Sequence, residues 1–155
     1  MLNDKIAIVT GGSTGIGKAI AEKYLEYGAE VVIANRSEEA GRETAAELGC
    51  DFQQCDVSDY EQVQHLVDST IDEYDRLDAM VNNAGIGRVG TVEDMTLKDW
   101  TDVIQINLTG VMYGARAALP YLKQTDGCII NIASMYGLVG GPGAAAYSAA
   151  KGGVV

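Results

Sequence analysis

The sequence predicts an α/β fold, a doubly wound parallel sheet, on three observations. Short apolar runs alternate with segments of helical periodicity, the first run ends in the glycine pattern Thr10-Gly-Gly-Ser-Thr-Gly-Ile-Gly17, and Gly11, Asn35, Asp56, Asn83 and Ser134 follow successive runs. Strands that alternate with helices are joined by parallel, right-handed crossovers, which cover both faces of the sheet. The ligand site of such a sheet lies beyond the carboxyl ends of its strands, where those residues fall.

Each element has its own signal. Lys5-Ile6-Ala7-Ile8-Val9-Thr10 is a short apolar run closed by glycines, as a buried strand requires. Ile16, Ile20, Tyr24 and Tyr27 then recur at helical spacing, and Gly28 supplies the stop. Val31-Val32-Ile33-Ala34 is the second strand. Ser37 is placed to cap a helix through Leu48, closed by Gly49, and the segment around Phe52 is a third short strand. Ser58-Asp59-Tyr60-Glu61 reads as a capping box for a helix whose core face is Val63, Leu66, Val67, Ile71 and Tyr74. His65 falls on the opposite face with Glu61, Asp68 and Asp72, which predicts a solvated side chain rather than a catalytic one. Leu77 to Val81 is the fourth strand, ended by Asn82-Asn83-Ala84-Gly85. Thr96 and Asp99 open a long helix containing Trp100, Val103, Ile104, Leu108 and Val111, which runs to about Pro120. Gly127 to Ala133 is a fifth strand, and a glycine-rich stretch leads to a helix with Tyr147 and Lys151.

With 155 residues, 47% of them hydrophobic, the chain buries one core and reads as one domain. A net charge of −11, from 22 acidic against 11 basic residues, argues against a nucleic-acid surface. The acid excess fits a salt-rich cytoplasm, where charge preserves solubility under screening, and equally an ordinary acidic cytosolic protein. No apolar run reaches membrane-spanning length, and Met1-Leu2-Asn3-Asp4 enters a strand directly, without a cleavable leader. The expectation is a cytoplasmic protein with no membrane partner. Cys50, Cys55 and Cys128 lack close Cys/His spacing, so free structural thiols are expected and no metal site.

Tyr147 and Lys151 lie four residues apart, so a helix sets phenol and ammonium on one face, about one turn apart. A free tyrosine titrates near pH ~10, and lowering that value by one takes about 1.4 kcal/mol of interaction, so a neighbouring cation draws the phenol toward working pH. The plain alternative is two unrelated residues at helical spacing. Gly11, Gly15 and Gly17 open the first helix without side chains to obstruct a pyrophosphate, and the helix N-terminus offers unpaired amides. A tight strand-to-helix turn is the structural alternative. Two other nucleotide readings fail on single residues. Gly12-Ser-Thr-Gly-Ile-Gly17-Lys18 follows the phosphate-loop pattern until Ala19 replaces the Ser or Thr that holds magnesium. A methyltransferase would carry an acid at the end of the second strand, where this chain has Asn35.

The ordered set Thr10-Gly-x-x-x-Gly15-x-Gly17, Asp56, Asn82-Asn83-Ala84-Gly85, Asn107, Ser134 and Tyr147-x-x-x-Lys151 closely resembles the short-chain dehydrogenase/reductase family, with its Rossmann-like fold. The resemblance covers nearly the whole chain. It implies one dinucleotide-binding and catalytic domain, residues 1–155, that transfers a hydride between NAD(P)(H) and a ketone or secondary alcohol. In such enzymes Tyr147 is the general acid or base, Ser134 positions the substrate oxygen, and Lys151 supports the tyrosinate and holds the nicotinamide ribose. Asn107 orders a water that links the lysine to solvent; the plain alternative is a polar residue tolerated inside a helix, but its interior position between Ile106 and Leu108 favours a functional kink. The loop of Gly11, Ser13, Thr14, Gly15, Ile16 and Gly17 receives the pyrophosphate, Asp56 and Val57 meet the adenine, and Asn83, Ala84 and Gly85 line the adenosine ribose. Asn35-Arg36 at the end of the second strand favours NADP over NAD, because an arginine pairs with the extra phosphate that an acid would repel.

The resemblance also implies a small carbonyl or alcohol substrate, for which Met135, Tyr136, Leu138, Val139 and Pro142, with Ile86 and Val89, form a moderately apolar lining. It implies homodimers or homotetramers built through the helices that begin near Thr96 and Ala144. The family continues through two more strands and a substrate loop, whereas this sequence ends at Val155, so the expectation is a sheet truncated before its last strands and left with an apolar edge. The alternative function is a cofactor-binding sensor or scaffold that lacks turnover because of that truncation.

Overall fold

A computed structural model describes all 155 residues. The first strand, β1 (Ile6–Thr10), is buried along its whole length because it lies mid-sheet between two other strands. Its neighbours are β2 (Glu30–Asn35) and β4 (Ala79–Asn82); β3 (Asp51–Gln54) and β5 (Cys128–Asn131) form the edges, giving the order β3-β2-β1-β4-β5. Every pairing is parallel, with Ile8 opposite both Val32 and Met80. The chain first builds outward from β1 through β2 to β3, then crosses back to β4. The crevice between the ends of β1 and β4 is therefore the topological switch point, where open α/β sheets bind ligands.

Alternation along the strands divides the core. Ile8, Val32 and Met80 face α3 (Tyr60–Tyr74) and α5 (Gly110–Thr125), meeting Leu66, Val67, Ala118 and Leu122. Val9, Val31, Ile33 and Val81 face the opposite side, against α1 (Gly15–Glu26) and α2 (Glu38–Leu48), where Ala21 and Ala45 are buried. A smaller cluster of Val103, Ala146 and Ala150 joins α4 (Leu97–Ile104) to α6 (Ala145–Val154).

Several local features depart from the expectations. Ile16 at the start of α1 and Tyr27 just past its end are exposed, at 63% and 55%, and the helix buries Gly17 and Ala21. The helix start approaches closely: a Cβ on Gly17 would stand 2.2 Å from the Gly11 carbonyl oxygen, so no side chain fits there, while Ile20 and Tyr24 pack half-buried on the core as their spacing predicts. Asp59, not Ser58, caps α3, accepting from the Glu61 and Gln62 N–H groups, while Ser58 turns back to Asp56. Ser37 occupies the cap position of α2 without a side-chain bond. The helix opened by Thr96 continues past Pro120 to Thr125, where Asp126 takes the left-handed conformation at φ 51°. Pro120 lies on the exposed face of α5, where the carbonyl left without its N–H partner is open to solvent. The same rod is interrupted by one π turn, Gln105–Thr109, between α4 and α5.

At the opposite end of the sheet, Asp78 is buried and receives hydrogen bonds from Lys5 Nζ (2.8 Å), the Ile6 N–H (3.0 Å) and both Arg76 Nε (2.8 Å) and Nη2 (2.7 Å). It ties the entry of β1 to the entry of β4. β5 is an edge strand, with Ile130 37% exposed.

Candidate active site

The turn after β1 is held by the turn after β4. Thr10 Oγ1 donates to the Val81 carbonyl (3.2 Å) and accepts from the N–H groups of Asn83 (3.0 Å) and Ala84 (3.1 Å). Asn83 Nδ2 returns two bonds, to the carbonyls of Thr10 (2.9 Å) and Gly11 (3.2 Å). Gly11 and Gly15 have positive φ, 65° and 54°, which the sharp reversal into α1 requires. Asn35 Oδ1 accepts from the Ser13 N–H (3.0 Å), and Thr44 Oγ1 donates to the Ser13 carbonyl (3.0 Å), so both main-chain groups of Ser13 are tied.

These loops enclose a cavity of about 380 Å³, whose wall includes Gly11, Thr14, Gly15, Ile16, Asn35, Arg36, Asp56, Val57, Asn83, Ala84 and Gly85. Ser13 and Gly17 are buried behind it. Ala34, Cys55 and Ile106 complete the wall, their signal in the sequence only adjacency to Asn35, Asp56 and Asn107; so does Ile86, which the sequence assigns to the substrate lining instead. Burial raises the Cys55 thiol to about 12, with the carboxylates of Asp56 and Asp59 adding to the effect, so this thiol stays neutral.

The cradle suits a dinucleotide. No atom lies within 4 Å of the position a Gly15 Cβ would take, so the backbone there is open to a close ligand. The first intrahelical bond of α1 runs from the Lys18 N–H to the Thr14 carbonyl (3.2 Å), and Thr14 supplies no side-chain cap. The preceding amides thus point out of the helix start, where partial positive charge favours phosphate. Arg36, a residue of the same wall, enters no ion pair.

On α6, the Lys151 side chain is almost fully buried and donates to the Ile132 carbonyl just beyond β5. Its Nζ lies 5.9 Å from the centre of the Tyr147 ring, the arrangement expected from their spacing. Desolvation lowers the Lys151 pKa from its ordinary value. Ser134 Oγ accepts from the Tyr136 N–H (3.2 Å), opening a short 3-10 turn, Met135–Gly137. That turn packs directly on α6: a Cβ on Gly137 would lie 2.5 Å from the Lys151 carbonyl oxygen. The Tyr136 ring meets the Tyr147 ring edge to face, with centroids 6.2 Å apart. Tyr136 therefore touches Ser134 through its main chain and Tyr147 through its side chain.

Asn107 is fully buried in the π turn, and its side chain bonds both main-chain groups of Ile86: Oδ1 accepts from the N–H and Nδ2 donates to the carbonyl, each at 2.8 Å. Lys151 makes its bond elsewhere, to Ile132. The Asn107 side chain thus anchors the loop after β4 to the helix pair. Asn107, Ser134, Tyr147 and Lys151 lie off the wall of this cavity, and Asn107 is joined to it through Ile86.

A doubly wound sheet with a glycine cradle at its switch point defines a Rossmann-like α/β domain. Residues 5–155 match the short chain dehydrogenase family, to which this chain belongs. It is 41% identical over 159 residues to cyclopentanol dehydrogenase of Comamonas testosteroni, covering 99% of this chain and 64% of that one. It is also 41% identical over 159 residues to the NADP-dependent (R)-specific alcohol dehydrogenase of Lentilactobacillus kefiri, with 99% and 63% covered. To a 3-oxoacyl-[acyl-carrier-protein] reductase of Chlamydia muridarum it is 41% identical over 163 residues, with 100% and 65% covered. The chain spans about 64% of the length of the curated relatives it matches.

Proposed function

We propose that residues 1–155 form one dinucleotide-binding and catalytic domain of an oxidoreductase that interconverts ketones and secondary alcohols. The observation that carries this reading is the buried Lys151 ammonium beside the Tyr147 ring, on a helix packed against the turn that Ser134 opens. When bound, NADP or NAD supplies or accepts the hydride. Tyr147 gives its phenolic proton to the carbonyl oxygen during reduction and takes one from the alcohol during oxidation. Ser134 Oγ already accepts from Tyr136, which leaves its own proton to donate to the substrate oxygen. The Lys151 charge stabilises the tyrosinate. Asn107 serves the proton route through its main chain, since the π turn opens the helical ladder there and its side chain is committed to Ile86.

NADP is the favoured cofactor. Asn35 is neutral and turned to Ser13, while Arg36 belongs to the cavity wall, enters no ion pair and suits a phosphate on the adenosine ribose. The name of the Lentilactobacillus kefiri relative points the same way. Apolar Met135, Leu138 and Val89, exposed at 68%, 75% and 92%, favour a small neutral substrate, consistent with the cyclopentanol named for one relative. The exposed apolar residues Leu97, Trp100, Met112 and Leu119 along the α4 to α5 rod suit a homodimer or homotetramer. No helix is long and apolar enough to cross a membrane. We place the protein in the cytoplasm.

The test is reduction of NADP or NAD, followed by absorbance, with cyclopentanol and open-chain secondary alcohols. Turnover supports the oxidoreductase. Cofactor binding with no turnover on any of them would instead favour a cofactor-binding sensor or scaffold.

A further inference from the structure

We propose that Gln105 is a positioning residue for the adenosine half of the dinucleotide, acting through the loop after β3; this rests on the cofactor site proposed above. Gln105 Nε2 donates to the Ser58 main-chain carbonyl at 3.1 Å. Ser58 in turn directs its N–H (2.9 Å) and its hydroxyl (2.6 Å) to Asp56 Oδ1. Asp56 and Val57 form the cavity wall on that side. The side chain of Gln105 therefore reaches the wall through one residue, and it sets where the Asp56 carboxylate points.

The π turn makes this contact part of a larger junction. Two residues after Gln105, Asn107 clamps Ile86 on the opposite wall. Leu108 packs on α6, where a Cβ on Gly153 would lie 2.9 Å from Leu108 Cδ1. The rod also lies close to the loop itself: a Cβ on Gly110 would stand 2.9 Å from the Val57 carbonyl oxygen. Glycine at that position lets the loop seat on the helix, and Gln105 holds it there by a directed bond. From the other side, Gln62 Oε1 accepts from the Asp56 N–H at 3.0 Å. Removal of the Gln105 donor therefore loosens the loop without releasing it. A loop that must be ordered on binding costs affinity, so the effect falls on the adenosine end of the ligand.

Titration calorimetry of the intact chain with adenosine diphosphate ribose tests this, with the melting temperature of the ligand-free protein alongside. Gln105→Met keeps the length of the side chain and deletes only the donor; it is expected to weaken binding about five- to tenfold with little change in melting temperature. Gln105→Glu sets a carboxylate against the Ser58 carbonyl and is expected to weaken it further. Unchanged affinity in both variants would overturn the proposal. So would a loss of affinity matched by an equal loss of stability, since Gln105 would then support the fold rather than the loop. If the wild-type chain itself fails to bind the probe, the cofactor-site reading fails and takes this inference with it.

Discussion

Asn83 donates from one side-chain amide to two consecutive main-chain carbonyls, Thr10 at 2.9 Å and Gly11 at 3.2 Å, and so staples the turn after β4 to the glycine loop after β1. The same amide nitrogen would lie 2.4 Å from a Cβ on Gly17. The staple and the close seating of α1 are thus one packing arrangement.

Gly17→Ala tests that arrangement. The added methyl meets the Gly11 carbonyl oxygen at 2.2 Å, and this partner is backbone that cannot swing aside. The expected outcome is a fall in stability of about 2 to 4 kcal/mol, by denaturant unfolding, and at least tenfold weaker binding of NADP or NAD. Wild-type affinity would show that the loop tolerates a wider gap than its packing implies.

The acid limb of stability should report Asp78. Burial alone would push its carboxyl up, but hydrogen bonds from Arg76, Lys5 and the Ile6 N–H outweigh it and hold the pKa at about 2, below the ordinary 3.8. The unfolded chain therefore binds more protons between these values. The stabilisation is fully present above pH 3.8 and is lost as pH falls through about 2. Asp78→Asn is expected to lower stability at pH 7 by roughly 2 kcal/mol and to flatten the decline between those limits. An acid unfolding profile that keeps its slope in the variant would assign that slope to other carboxylates.

Arg36→Asp bears on cofactor choice. Replacing an unpaired cation on the cavity wall with an anion repels the extra phosphate of NADP and offers an acceptor to the ribose hydroxyls of NAD. The ratio of the two affinities is expected to move toward NAD by at least tenfold. An unchanged ratio would mean that Arg36 points into solvent.

The glycine loop, the Asn82-Asn83-Ala84-Gly85 turn and the strand and helix order were legible because each depends on local chemistry: chain reversal, capping, or apolar periodicity. What the sequence hides depends on contacts made at a distance. A break at Asn107 was legible from a polar residue set between Ile106 and Leu108, but its form, a π turn at Gln105–Thr109 with the side chain clamped on Ile86, was not, because the apolar spacing runs on unchanged. The close seating of α1 at Gly17, with its 2.2 Å clearance, is recorded by no periodicity, and the spacing also counts Tyr27, which lies past the end of the helix. Asp78 reads as one acid among 22 until folding places it beside Lys5 and Arg76. Asn35 signals only the lack of an acid, whereas its side chain holds the Ser13 N–H.

The central claim is that Tyr147 is the proton-transferring group, and Tyr147→Phe addresses it with the smallest change available. The phenylalanine ring can keep its edge contact with Tyr136 and its place near Lys151, so cofactor affinity should stay within about twofold of wild type. Turnover of secondary alcohols should fall by about 100-fold or more, the scale of a lost general acid or base. A Tyr147→Phe protein that turns over as fast as wild type would contradict the assignment.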